Sequence, residues 1–210
     1  MICYLSADLV DSTSSTWTPD GFEAALGALR DDLREVEAVD IEVSQGDSFQ
    51  LQCPARYAWA VAIVSYARMR THGDAGARVA FAVGEGDTTV NRPLSLRDGA
   101  VYRRAGRGVG EIREKGLPWR FFPDESVEVQ AGWRTASDYA GILLAGTTQR
   151  QCELLCAALA PHVWPNQKKI AKRLELAEST VSQHLRAANL ATHFRSSQRF
   201  SMEVAKQFLA

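Results

Sequence analysis

Ile170-Ala-Lys-Arg-Leu-Glu-Leu-Ala-Glu-Ser-Thr-Val-Ser-Gln-His-Leu-Arg-Ala-Ala-Asn189 reads as two short helices joined by a tight turn. Ile170, Ala171 and Leu174 recur at helical spacing, Leu176 fills the turn, and Val181, Leu185 and Ala188 form a second stripe at steps of four and three. This spacing predicts a helix-turn-helix. The second helix keeps a polar face of Ser179, Ser182, Gln183 and Arg186, side chains able to bond base edges or phosphates from the major groove of double-stranded DNA. Two positions depart from the common pattern: Glu175 stands in the turn where glycine is usual, and Ala177 stands where Ser or Thr often caps the second helix.

Outward from this stretch the charge changes sign. Residues 147–210 carry nine Lys and Arg against four Glu, a local excess of +5, whereas the whole chain is −1 and the remainder therefore −6. Phosphate binding requires a local cluster and not a basic protein, so Lys168 and Lys172 are candidate backbone contacts. Thr147 or Thr148 caps a preceding helix carrying Leu154, Leu155 and Leu159, which supports the pair as its first helix.

With 210 residues and 46% hydrophobic composition the chain can bury one large core or two smaller ones, and the charge split argues for two domains. No apolar run approaches a membrane span, and the N-terminus lacks the basic and apolar regions of a signal peptide, so the expected location is cytoplasmic. The four cysteines read as small buried hydrophobes, and no Cys or His spacing suits zinc. The four histidines read as surface residues or as satisfied core residues.

Upstream, residues 2–10 read as a buried strand, followed by a loop over 11–15. Pro19 then opens a helix with Phe22, Leu26, Leu29, Leu33 and Val36 on one face. Residues 40–45 and 48–53 form a hairpin turning at Gly46-Asp47; Pro54 opens a second helix to about His72; 78–83 is a fourth strand. The order βαββαβ predicts an α+β domain, a ferredoxin-like antiparallel sheet with both helices on one face. That arrangement brings Asp8, at the end of the first strand, to Asp47 in the hairpin, where two carboxylates need a cation or a shared proton to offset their repulsion. Mg²⁺ suits such a site. The competing reading makes Asp8 a loop cap and Asp47 an ordinary turn residue. Beyond Asp98-Gly99 a helix places Arg103 and Arg107 one turn apart, able to reach one phosphate or to form a solvated face with Glu111 and Arg113. Its Gly106, Gly108 and Gly110 lower its propensity, through close packing or fraying. Residues from Trp119 form a short last strand, and a connecting helix follows with Trp133, Tyr139, Leu143 and Leu144.

Ala7-Asp8-Leu9-Val10-Asp11-Ser12, Gly46-Asp47-Ser48-Phe49-Gln50, Arg78-Val-Ala-Phe-Ala-Val-Gly84-Glu85 and Asp98-Gly99-Ala-Val-Tyr-Arg-Arg-Ala105 together resemble the SatD family, small bacterial proteins with a C-terminal helix-turn-helix. The first three motifs are similar to class III nucleotide cyclases. The resemblance implies that Asp8 and Asp47 match the two metal-binding aspartates and Leu9 the residue whose backbone carbonyl helps hold the metal. It also implies that Arg107 matches an arginine meeting the triphosphate. Arg103 replaces the asparagine of that motif, and Val43 stands where cyclases specify the base. The implied protein is a DNA-binding transcriptional regulator, expected to be a homodimer, with a cyclase-like domain that senses a nucleotide or merely dimerises. Residues 1–123 are the cyclase-like domain, 124–146 a connecting helix, and 147–210 the helix-turn-helix domain. Two alternatives stand beside it. One is an Mg²⁺-dependent nucleotide cyclase or related enzyme with an appended DNA-binding domain, the other an interaction protein whose helix pair binds protein; the loss at Val43 and Arg103 makes the expected cyclic-nucleotide turnover undetectable.

Overall fold

Strand β1, Ile2–Leu9, alternates strictly between two buried faces, because successive side chains of a strand point to opposite sides. Cys3, Leu5, Ala7 and Leu9 join one hydrophobic cluster and Ile2 and Tyr4 another. The computed structural model describes residues 1–11, 17–73, 76–89, 92–159 and 166–206; residues 12–15 of the loop read after β1 lie outside them. β1 pairs antiparallel with β3, Ser48–Pro54, on one side and with β4, Ala77–Gly84, on the other. β2, Asp40–Gln45, forms the outer strand of a hairpin with β3, turning at Gly46 with φ +50°. β5, Trp119–Phe121, adds parallel to β4, giving the order β2-β3-β1-β4-β5 in a mixed α+β molecule.

Helices α1, Pro19–Leu33, and α2, Ala58–His72, cover the face of Cys3, Leu5 and Ala7. Thr18 starts α1 by accepting the Gly21 N–H at 3.0 Å, a cap typically contributing about 1 kcal/mol. Pro54 ends β3 rather than opening α2; a 3₁₀ turn over Ala55–Tyr57 intervenes. Helix α3, Ala100–Glu114, lies on the opposite face, packing Val101, Tyr102, Ala105 and Ile112 on Ile2, Tyr4, Ala80 and Ala82. Gly108 lets α3 approach β5's exit, since a Cβ there would sit 2.5 Å from the Phe122 ring. Close packing therefore accounts for that glycine, and α3 is continuous through all three.

Helix α4, Glu128–Ala145, presses on β5 so closely that a Cβ at Gly141 would lie 2.7 Å from the Trp119 carbonyl oxygen. Helices α5, Gln149–Leu159, α6, Gln167–Arg173, α7, Glu178–Ala187, and α8, Leu190–Lys206, follow among the described residues. Their apolar residues Leu154, Leu155, Ile170, Val181, Leu185 and Phe200 belong to the same cluster as α1 and α2. Its hub is Trp59 of α2, whose ring lies 5.0 Å from Trp119, 5.1 Å from Trp133 and 5.4 Å from Phe200, distances at which aromatic pairs attract. All four cysteines are free and buried. His193 of α8 departs from expectation: it is buried with Nε2 unpartnered, and desolvation pushes it down to about 4. No helix among the described residues is long and apolar enough to cross a membrane.

Candidate functional site

The four C-terminal helices are individually well specified. Thr148 and Gln151 start α5 reciprocally: the Thr148 Oγ1 accepts the Gln151 N–H at 3.2 Å, and the Gln151 Oε1 accepts the Thr148 N–H at 2.8 Å. Asn166 caps α6 by accepting the Lys169 N–H at 3.2 Å. The end of α6 explains Glu175. It sits at φ +53°, and the next N–H, that of Leu176, returns to the Ala171 carbonyl at 2.9 Å, closing the helix in the manner that usually employs glycine. Leu176 packs into the core from there. α7 begins at Ala177 with no side-chain cap, as its sequence foretells.

Val181 and Leu185 anchor the inner side of α7, which packs against α5, α6 and α8. The outer side presents Ser179, Gln183 and Arg186, exposed at steps of four and three, with Ser182 half-buried beside them. On α6, Lys168 and Lys172 are exposed one turn apart, next to Lys169. Among the described residues none of Lys168, Lys169, Lys172, Arg186 and Arg195 has an acidic partner within ion-pair distance. The candidate reading residues thus occupy one helix face, with the candidate phosphate contacts on the helix before it.

The second candidate site lies at the far end of β1. Asp8 follows the alternation of β1 to the α3 side of the sheet, where Ser6 and Asp8 continue the row begun by Ile2 and Tyr4. The Leu9 N–H donates to the Asp47 carbonyl at 3.0 Å, so the strand end and the hairpin turn meet. Asp8 itself is buried and turned toward arginines. Arg113 of α3 donates to Asp8 Oδ2, and Arg78 of β4 stands 3.7 Å from the same oxygen. Asp47 also acts on Arg113, whose guanidinium is held above its ordinary range, first by its bond to Asp8. Asp8 Oδ1 is buried without a hydrogen-bond partner. A cation with open coordination positions fits that atom, and Mg²⁺ takes few protein carboxylates. Guanidinium groups already supply positive charge on the other oxygen. Among the described residues no group of three or more His, Cys, Asp or Glu converges on one point.

Arg103 and Arg107 lie on the exposed side of α3. Arg103 pairs with Asp98 at 2.6 Å, while the Arg107 Nε donates to the Arg103 carbonyl at 3.2 Å, so the two guanidiniums serve different partners. Val43 is on β2, 36% exposed. Around the other flank of α3, Glu111 collects Lys115, Arg120 and Arg134, and these bonds and charges, Lys115 foremost, hold its carboxyl below the usual range.

One cluster escapes the sequence reading. Asp32 of α1 is buried and shared by two arginines: Arg68 of α2 donates to Oδ2 from Nη2 at 2.6 Å, and Arg173, the last residue of α6, donates to Oδ1 at 3.2 Å. Its signal was present, since Asp32 falls on the apolar arc of α1 between Leu29 and Leu33, where a carboxylate demands a partner. The partners are far away in sequence and could not be named.

No family model matches the chain, and no curated protein matches it. Among solved structures, a crystal structure of the guanylyl cyclase Cya2 is similar over 52% of this chain and 69% of that one, with a TM-score of 0.38 and 16% identity. At this level the similarity carries no assignment, and the sites stand on their own geometry.

Proposed function

We propose that the chain is a DNA-binding regulator in which α5, α6 and α7 form a helix-turn-helix and α7 enters the major groove. The observation that carries this is the outer face of α7 and α6: Ser179, Gln183, Arg186, Lys168 and Lys172 are directed to solvent, and the cations among them have no acidic partner among the described residues. A base-reading helix needs side chains that no internal bond consumes. In this reading residues 147–210 are the DNA-binding domain, residues 1–123 a ferredoxin-like, cyclase-type domain that senses or dimerises, and 124–146 the connection. A two-fold dimer would then address two half-sites. The test is selection of bound duplexes from a random library, followed by mobility shifts with Gln183→Ala and Arg186→Ala. Each is expected to cost about 1 to 3 kcal/mol if it contacts a base. An unchanged shift in the double variant removes α7 from the role of reader.

The unpartnered Oδ1 of Asp8 favours a second reading for the sheet domain, an Mg²⁺ and nucleotide site held by Asp8, Asp47 and the Leu9 carbonyl. Val43 and Arg103 provide neither base selection nor the missing donor, so the reading extends to binding and not to turnover. Nucleoside triphosphate with Mg²⁺ is expected to raise the melting temperature, since a ligand that binds only the folded state stabilises it. Asp47→Asn is expected to abolish the increment while leaving the fold intact. No Mg²⁺-dependent increment in the parent protein would make the domain a scaffold.

A further inference from the structure

α4 divides sharply into two sides. Trp133, Ser137, Ala140, Gly141 and Leu144 turn inward, whereas Ala131, Gly132, Thr135, Tyr139, Ile142 and Leu143 are exposed. Tyr139 and Ile142 leave 68% and 61% of their surface in water, and Leu143 37%. These outward residues recur at steps of three and four, one continuous helix stripe. From Ala131 to Leu143 the stripe contains no group charged at neutral pH, and the exposed Glu128 stands one turn before it. The charges beside it are consumed internally, Arg134 by Glu111 and Glu125, and Asp138 by Arg120.

We infer that this stripe is a self-association surface, where α4 packs antiparallel on α4 of a second copy of the chain. The argument for a second copy is in the order of sizes. The N-terminal half of the stripe is small, Ala131, Gly132 and Thr135, and the C-terminal half is bulky, Tyr139, Ile142 and Leu143. A two-fold axis on the outward side of α4, level with the buried Ser137 and between Thr135 and Tyr139, sets Tyr139 against Thr135, Ile142 against Gly132 and Leu143 against Ala131 of the other copy. Each bulky side chain then meets a small one. Gly132 offers real space for this, with nothing within 4 Å of where its Cβ would be. Charge agrees: a face without charged groups from Ala131 to Leu143 can meet itself without like-charge repulsion, the same register sets Glu128 against Gly146, and contiguous exposed apolar surface marks an interaction site.

Area sets the strength. A helix of 18 residues is about 27 Å long and about 10 Å wide, so an α4 pair alone covers less than the roughly 800 Å² per partner of a standard stable interface. The dimer is therefore reversible and concentration-dependent, strengthened when both copies are held on one duplex. The inference rests on the dimeric regulator reading only for that last point.

Sedimentation velocity on the full chain, from low micromolar to several hundred micromolar without DNA, tests it. The parent is expected to pass from monomer to dimer, and Ile142→Lys and Gly132→Glu, both exposed changes that leave the helical circular dichroism intact, are expected to remain monomeric. Combining the two in one chain restores the dimer, because the antiparallel register brings position 142 of one copy to position 132 of the other. A parent that stays monomeric throughout, a dimer indifferent to either single change, or a double variant that is not restored would each overturn the proposal. DNA binding by a monomeric Ile142→Lys variant would leave the DNA reading standing while the α4 surface is judged on its own.

Discussion

Arginines of the sheet region and cations of the α6–α7 face are used in opposite ways. Arg68, Arg78, Arg97, Arg104, Arg113, Arg120 and Arg134 each hold a carboxylate of the same chain, whereas Lys168, Lys172 and Arg186 hold none among the described residues. A guanidinium paired with a carboxylate at low exposure organises the fold, and removing one member leaves the other buried and uncompensated. A solvated lysine has no such duty. It contributes little to stability and remains available to a polyanion, which gains by releasing its counterions. The paired arginines of the sheet region thus build the molecule, as Arg173 of α6 does on Asp32, while Lys168, Lys172 and Arg186 are free to meet something else.

The largest effect expected from this contrast is at Asp32, which ties α1 to both α2 and α6. Asp32→Ala leaves Arg68 without its partner, and urea unfolding is expected to show a loss of about 3 kcal/mol, near the low end for buried pairs because Arg173 is half exposed. Lys172→Ala, one residue from Arg173 in sequence, is expected to lie within about 0.5 kcal/mol of the parent. Equal losses would erase the distinction between the two classes of cation.

Acid provides the next effect. His193 is held neutral at about 4 in the fold against 6.5 in the unfolded chain, so the unfolded state binds the extra proton first. Its stability is complete above pH 6.5 and falls as the pH drops from 6.5 toward 4, by up to about 3 kcal/mol for that difference. His193→Leu is expected to flatten this part of the pH profile relative to the parent, as read by urea unfolding at pH 7.5 and 5. An unchanged slope would mean that an acceptor or water offsets the desolvation of His193 in the fold, so that it takes up its proton as readily as in the unfolded chain.

Much of this organisation was legible in the chain. The periodic stripes of α1, α2, α6 and α7 fixed helices because burial of one face needs a spacing of three and four. The order of the first six elements sufficed to bring the end of β1 to the hairpin turn, since short connections leave few alternatives, and the Leu9 to Asp47 bond is the result. The arginine on Asp8 was hidden: Arg113 is 105 residues away, and nothing local in the sequence tells which face of the sheet α3 will cover. Asp32 was hidden for the same reason, with its partners 36 and 141 residues distant. Local pattern reveals what a segment buries, and long-range pairing decides what a buried charge finds there.

The central claim is that the unpaired cations of α6 and α7 face DNA. Its most direct measurement is the salt dependence of duplex binding by the parent and by the Lys168→Ala, Lys169→Ala, Lys172→Ala triple variant, followed by fluorescence anisotropy. Each phosphate contact contributes about 0.9 to the slope of log affinity against log salt, so three lost contacts are expected to reduce it by roughly 2.7 with thermal stability unchanged. A parent that does not bind duplex, or a triple variant that binds with the parent's slope, would contradict the account.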